Sequence, residues 1–259
     1  MEQEERTYIL ESLAAMYTTL GDTKADLEKE LRNFYQKYGK DGVVTYHEAR
    51  KWVDEKDHTR RLTALLLLFS DSFSSTMTKL NKQFGVMING ISDKELEFFK
   101  VTLDKTPDYR WGYDNLDWSI RLSNNGKRWI NIICSDLKRS LHKQDTLDDV
   151  LKQLDNRFVS IDKSLKNLGM TESTAVGSIV REECFKELGI KKYKFYTIPD
   201  ERRCETCGAM HGKIFPISAY EVGVTASPMH PFADASKFLS RMSRITKLNN
   251  KIIGGYLLC

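Results

Sequence analysis

The sequence predicts an α+β protein, with a mainly helical N-terminal region over residues 1–170 and a small α+β domain with short strands over 171–259. Three observations carry that prediction. Apolar residues recur at three and four positions through the first region, where Pro107 is the only proline. The texture then changes, and residues 192–198 alternate as a half-buried strand does. The other four prolines, Pro199, Pro216, Pro228 and Pro231, gather there with Gly208, Gly212 and Gly223, the chemistry of turns. The 259 residues, 41% of them hydrophobic, suffice to build a core for one large or two ordinary domains.

Element by element, Ile9, Leu13, Met16 and Leu20 form one helical stripe ending near Gly21. Leu27, Leu31, Phe34 and Tyr38 form the next, ending at Gly39. Glycine just past a stripe is the usual helix stop, so two helices in an antiparallel pair are expected. A longer helix from about Thr59 to Phe84 carries Leu62, Leu65, Leu66, Phe69, Phe73, Met77 and Leu80. Its apolar residues run almost all round between Leu65 and Phe69, which predicts a central, buried position. Ser92 followed by Glu95 has the form of a capping box opening a helix through Leu96, Phe99 and Leu103 that stops before Pro107. Thr146 similarly precedes the stripe Leu147, Val150, Leu151, Leu154 and Phe158, and a last helix is expected from about Glu172 to Leu188, ended by Gly189. The strand from Lys192 to Ile198 then sets Tyr193, Phe195 and Thr197 on one side.

Between these, the stretch from Asp108 to Trp118 is rich in aromatic and polar residues and lacks a helical period. It reads as a loop pinned by aromatics that belong to the core. The alternative is a nucleic-acid surface, in which the rings stack on bases beside Arg110 and Arg121.

Composition excludes several classes. The longest apolar run, Leu65 to Phe69, is far too short to span a bilayer, so no membrane contact is expected. The first residues are acidic where a secretory signal is basic and then apolar, which predicts a cytoplasmic product. A net charge of +4 is mild beside the clustered basic footprint of a dedicated nucleic-acid binder. Cysteines at 134, 184, 204, 207 and 259 make an odd set without a disulfide framework, and only Cys204 and Cys207 are suggestively spaced. His47, His58 and His142 lie in polar surroundings without ligand spacing.

The most specific pattern begins at Ile179-Val-Arg181-Glu182 and leads through Gly189 into the aromatic strand. Asp200-Glu-Arg202-Arg-Cys204-Glu-Thr-Cys207 follows, then Met210-His211-Gly212-Lys213-Ile-Phe215, Gly223-Val-Thr-Ala-Ser-Pro228 and His230-Pro231. The order and spacing of these blocks resemble the phage Mu protein F-like family of head morphogenesis and minor capsid proteins of tailed bacteriophages. Trp111-Gly-Tyr and Asp117-Trp-Ser also resemble the N-terminal part of minor capsid proteins from phages of Gram-positive hosts. Two blocks depart from the family pattern. Ala233-Asp-Ala235 stands where the family has Cys-x-Cys after His-Pro, and His211 stands where it often has Asp. The resemblance implies a minor head protein that assembles with the portal protein and with capsid or scaffold proteins in the host cytoplasm. It then implies residence in the virion head interior, in contact with packaged DNA.

The chemistry open to these residues is limited. Cys204 and Cys207 could share one zinc ion, completed by His211 and His230 as a closed Cys2His2 site. The absence of cysteines at 233 and 235 favours no cofactor, with reduced thiols packed around a turn between two strands. A zinc-dependent nucleic-acid-binding module stays as an alternative. Arg181, Glu182 and Glu183 raise an enzymatic alternative, because some Mu F-like proteins resemble ADP-ribosyltransferases. The favoured reading is non-catalytic: Arg181 and Glu182 form salt bridges tying their helix to the strands. Asp200 and Arg202 form and charge-pair a turn, and Gly212 and Lys213 belong to the same structural motif.

Overall fold

The computed structural model describes residues 2–54, 56, 58–196, 205–229 and 256–258, with backbone alone for 2, 3 and 256–258. Among them are six helices: α1 (Glu2–Tyr38), α2 (Tyr46–Ala49), α3 (Arg61–Phe99), α4 (Trp118–Lys143), α5 (Leu147–Glu187) and α6 (Glu205–Met210). Three short strands, β1 (Lys192–Tyr196), β2 (Ile214–Pro216) and β3 (Tyr256–Leu258), complete the α+β class that the sequence predicts. No helix among the described residues is long and apolar enough to cross a membrane.

Several expected breaks are absent. The two N-terminal stripes lie on the single helix α1, not on an antiparallel pair, and Gly21 sits in its interior. The reason is phase: Leu20 and Leu27 are seven residues apart, so both stripes share one face, with buried Thr23 between them. Thr23 Oγ1 lies 2.5 Å from Thr76 Oγ1 of α3, which satisfies both hydroxyls inside the core. A Cβ at Gly21 would meet nothing within 4 Å. Gly21→Ala is therefore expected to stabilise the protein by about 1 kcal/mol through helix propensity alone, seen as a higher urea midpoint with unchanged slope.

Likewise, α3 runs unbroken through Ser92 and Glu95, so no capping box opens there. Both residues are buried in mid-helix. The helix ends at Phe99, earlier than expected, where Lys100 adopts φ 53° and the Val101 N–H donates to Leu96 O at 3.1 Å. A helix over Trp118–Lys143 is an addition to the elements read from the sequence. It starts where Asp117 Oδ1 accepts from the Ser119 and Ile120 N–H groups at 2.8 and 3.0 Å. The expected start of α5 at Thr146 holds: its Oγ1 accepts from the Asp149 N–H at 3.3 Å while Asp149 Oδ2 accepts from the Thr146 N–H at 3.3 Å. From there α5 continues without the second start expected near Glu172, and ends at Glu187, two residues before Gly189, whose φ of 65° lets the Ile190 N–H reach Phe185 O at 2.9 Å.

The chain divides into two compact units, Ala14–Gln83 with Leu122–Leu165, and Met1–Leu13 with Phe84–Arg121 and Lys166–Cys259. Residues 170 and 171, where the sequence places its boundary, both lie within α5. In the first unit, parts of α1, α3, α4 and α5 enclose a core that includes Leu31, Phe69, Ile133 and Leu154. Ser140 bonds to Gln153 and Asp136 to Arg157, pairs whose opposed order makes α4 and α5 antiparallel. In the second unit the sheet has the order β2-β1-β3, antiparallel between β1 and β2 and parallel between β1 and β3. Tyr193 and Phe195 face inward from β1, as the alternation predicts, onto a cluster with Trp111, Ile179, Phe185, Tyr220 and Val222. Thr197 and Ile198 lie outside the described residues.

Candidate functional site

The last turns of α5 carry Arg181, Glu182 and Glu183 side by side, and all three are ion-paired. Arg181 is bonded to Glu95 of α3, with Nε at 3.2 Å from Oε2 and a second ion pair from Nη2 to Oε1. Burial works against the Arg181 charge, but the attraction of Glu95 outweighs it and holds the guanidinium pKa above its ordinary value. Glu182 and Glu183 both pair with Lys186 one turn on, at 2.8 and 2.7 Å. The salt bridges thus tie helix to helix and α5 to itself; the expected tie to the strands is corrected. A buried ion pair of this kind needs both partners, since either charge alone is stranded away from water.

A second buried carboxylate holds the loop before α4. Glu172, 1% exposed, accepts from Trp111 Nε1 at 2.8 Å and from Arg121 Nη1 at 3.0 and 3.1 Å. Arg121 also donates to Trp111 O at 2.6 Å, pairs with Asp114, and stands 4.5 Å from the Trp111 ring centroid. The stretch from Asp108 to Trp118 is therefore pinned by core aromatics: Trp111 is buried, and Trp118 stacks on Phe84 at 5.4 Å. Arg110 pairs with Asp108. Neither arginine singled out for nucleic acid lacks an acidic partner.

Burial raises the Glu172 carboxyl above its usual range against the pull of Trp111 and Arg121. A carboxyl raised on folding binds its proton more tightly in the folded state. Its contribution to stability is therefore full below the unfolded value and declines as pH rises toward the folded one. Wild type is expected to gain stability over Glu172→Gln as pH falls from neutral toward about 4.5, followed by urea denaturation across that range.

Residues 212 and 213, ahead of β2, are tied to β1 by backbone bonds. Gly212, at φ 80°, donates its N–H to Phe195 O at 2.8 Å, and Phe195 N–H donates to Lys213 O at 2.9 Å. A side chain at 212 would be strained by that φ, which accounts for glycine there. The Lys213 side chain is exposed. Cys207 lies on α6, not in a plain turn, and is buried in the apolar cluster; the expectation of a simple turn between strands is corrected. His211 packs on the Tyr196 ring at 4.6 Å. Asp200, Arg202, Cys204 and His230 lie outside the described residues. Among the described residues, no three His, Cys, Asp or Glu side chains are grouped to hold a metal ion.

Sequence reasoning missed Glu95 and Glu172 as partners. They are separated from Arg181 by 86 residues and from Trp111 by 61, distances at which no local spacing carries a signal. A polar residue in phase with an apolar helical stripe is the one available hint.

The family model described as Phage Mu protein F like protein matches residues 131–233. The match begins within α4 and takes in all of α5, so it begins well ahead of the blocks that carry the resemblance in the sequence. No curated protein and no solved structure gives a significant match.

Proposed function

We propose that this chain, whose residues 131–233 match the family model described as Phage Mu protein F like protein, is a minor head protein of a tailed bacteriophage acting in head morphogenesis. The family match is the observation that carries the reading. On this reading the chain joins the portal together with capsid or scaffold proteins during assembly in the host cytoplasm. It then stays in the head interior beside the packaged DNA. The geometry supports a structural role for the residues of the motif, because Arg181 and Glu182 are engaged in ion pairs with Glu95 and Lys186.

Co-expression with the portal protein of the same phage, followed by mass spectrometry of purified heads, tests the proposal. The chain is expected to co-purify with portal and to be found in heads. Its absence from heads that form and package normally overturns the reading. Consumption of NAD by the purified protein, lost on changing Glu182 or Glu183, establishes the ADP-ribosyltransferase alternative instead. The reading carries no cofactor, and the place of Cys207 inside an apolar cluster supports reduced thiols. Elemental analysis showing one tightly held zinc per chain, lost on changing Cys204, replaces that part of it by the Cys2His2 site or the zinc-dependent module.

A further inference from the structure

A cleft of about 750 Å³ opens in the unit that holds β1, between the loop after α3, the end of α5 and residues 220–222. Its size is that of an ordinary ligand pocket, roughly 300–1,000 Å³. Its lining is mostly polar, with an apolar part from Leu103, Pro107, Trp111, Ile179 and Val222. Its rim is acidic: six carboxylates line it, against Lys105 and Arg110. Arg110 is committed to Asp108, and Glu182 and Glu183 share Lys186. That leaves Asp104, Glu187 and Glu221 without an ion-pair partner among the described residues. A chain of net charge +4 thus carries a cleft of the opposite sign.

We infer that this cleft is a docking site for an extended, Lys/Arg-rich peptide segment of a partner protein. The spread of the carboxylates selects that occupant. A divalent cation needs oxygens converging on one point, and no such group of three exists among the described residues. A nucleic acid is repelled by the same rim. An extended cationic chain instead brings separate charges to Asp104, Glu187 and Glu221, and lays its aliphatic stems against the apolar part of the lining at Leu103 and Pro107. Tyr113 adds to the fit. It is 96% exposed, between Gly112 and Asn115 of the cleft lining, where a ring can take a guanidinium on its face. The inference rests on this cleft and stands apart from the family reading.

Fluorescence anisotropy with the full chain and a short labelled peptide alternating arginine and leucine tests it. Saturable binding that weakens with salt is expected, while the same peptide with glutamate for arginine does not bind. The triple variant D104N/E187Q/E221Q, altered only at exposed side chains, is expected to keep the wild-type melting curve and bind about tenfold more weakly. Tyr113→Ala is expected to weaken binding about threefold. Absence of saturable binding, equal binding of the glutamate peptide, or unchanged affinity in the triple variant overturns the proposal. So does binding of calcium or of single-stranded DNA at this cleft in place of the peptide.

Discussion

Replacing Arg181 by methionine is expected to cost about 3–5 kcal/mol of stability, because it leaves the Glu95 carboxylate buried without its counter-charge. The Glu95 side chain is 2% exposed and that of Arg181 15%, so water cannot take over the role of the lost partner. The cost belongs to the stranded charge more than to the bond itself. Removing both charges in R181M/E95M is therefore expected to recover most of the loss, since well-packed apolar residues replace buried pairs at little cost. Urea denaturation of the wild type, both single variants and the double variant completes the cycle. Additive losses would mean that the two side chains do not act as a pair. Recovery in the double variant would also show that the Arg–Glu pair of this motif can be replaced in folding, as a structural role requires.

Truncating Trp111 to alanine is expected to cost about 3–5 kcal/mol, the usual effect of deleting a buried aromatic side chain. The ring is 6% exposed within the apolar cluster, its Nε1–H donates to Glu172 at 2.8 Å, and Arg121 lies over it. Trp111→Phe keeps most of the packing but leaves the Glu172 carboxylate one donor short, for which about 1–3 kcal/mol is expected. Two residues on, Tyr113 stands in solvent, and Tyr113→Ala is expected to change stability by less than about 0.5 kcal/mol. Thermal and urea unfolding of the three variants separates the two rings. If Trp111→Ala behaves like Tyr113→Ala, the loop is not held by its tryptophan.

Much of the local structure was legible because helical and strand periods are written over short distances. The stripe from Ile9 to Leu20, the reciprocal cap at Thr146 and Asp149, and the inward alternation of Tyr193 and Phe195 all stand in the structure as expected. What misled was punctuation. Gly21 and the Ser92–Glu95 pair have the form of helix boundaries, yet a stripe that stays in phase across them carries the helix through. Glu95 in particular looked like a cap because its partner Arg181 is 86 residues away.

The sequence by itself determined the α+β class, the order from long helices to short strands, and the ordered blocks from Arg181 onward that resemble the matched family. Tertiary structure alone decided where the helices run unbroken, which carboxylate neutralises Arg181 and which one holds Trp111. It also placed Asp104, Glu187 and Glu221 around one cleft. The physical reason is range. Periodicity and capping act within a few residues, whereas a buried charge must find its counter-ion wherever folding brings one, and sequence spacing does not record that encounter.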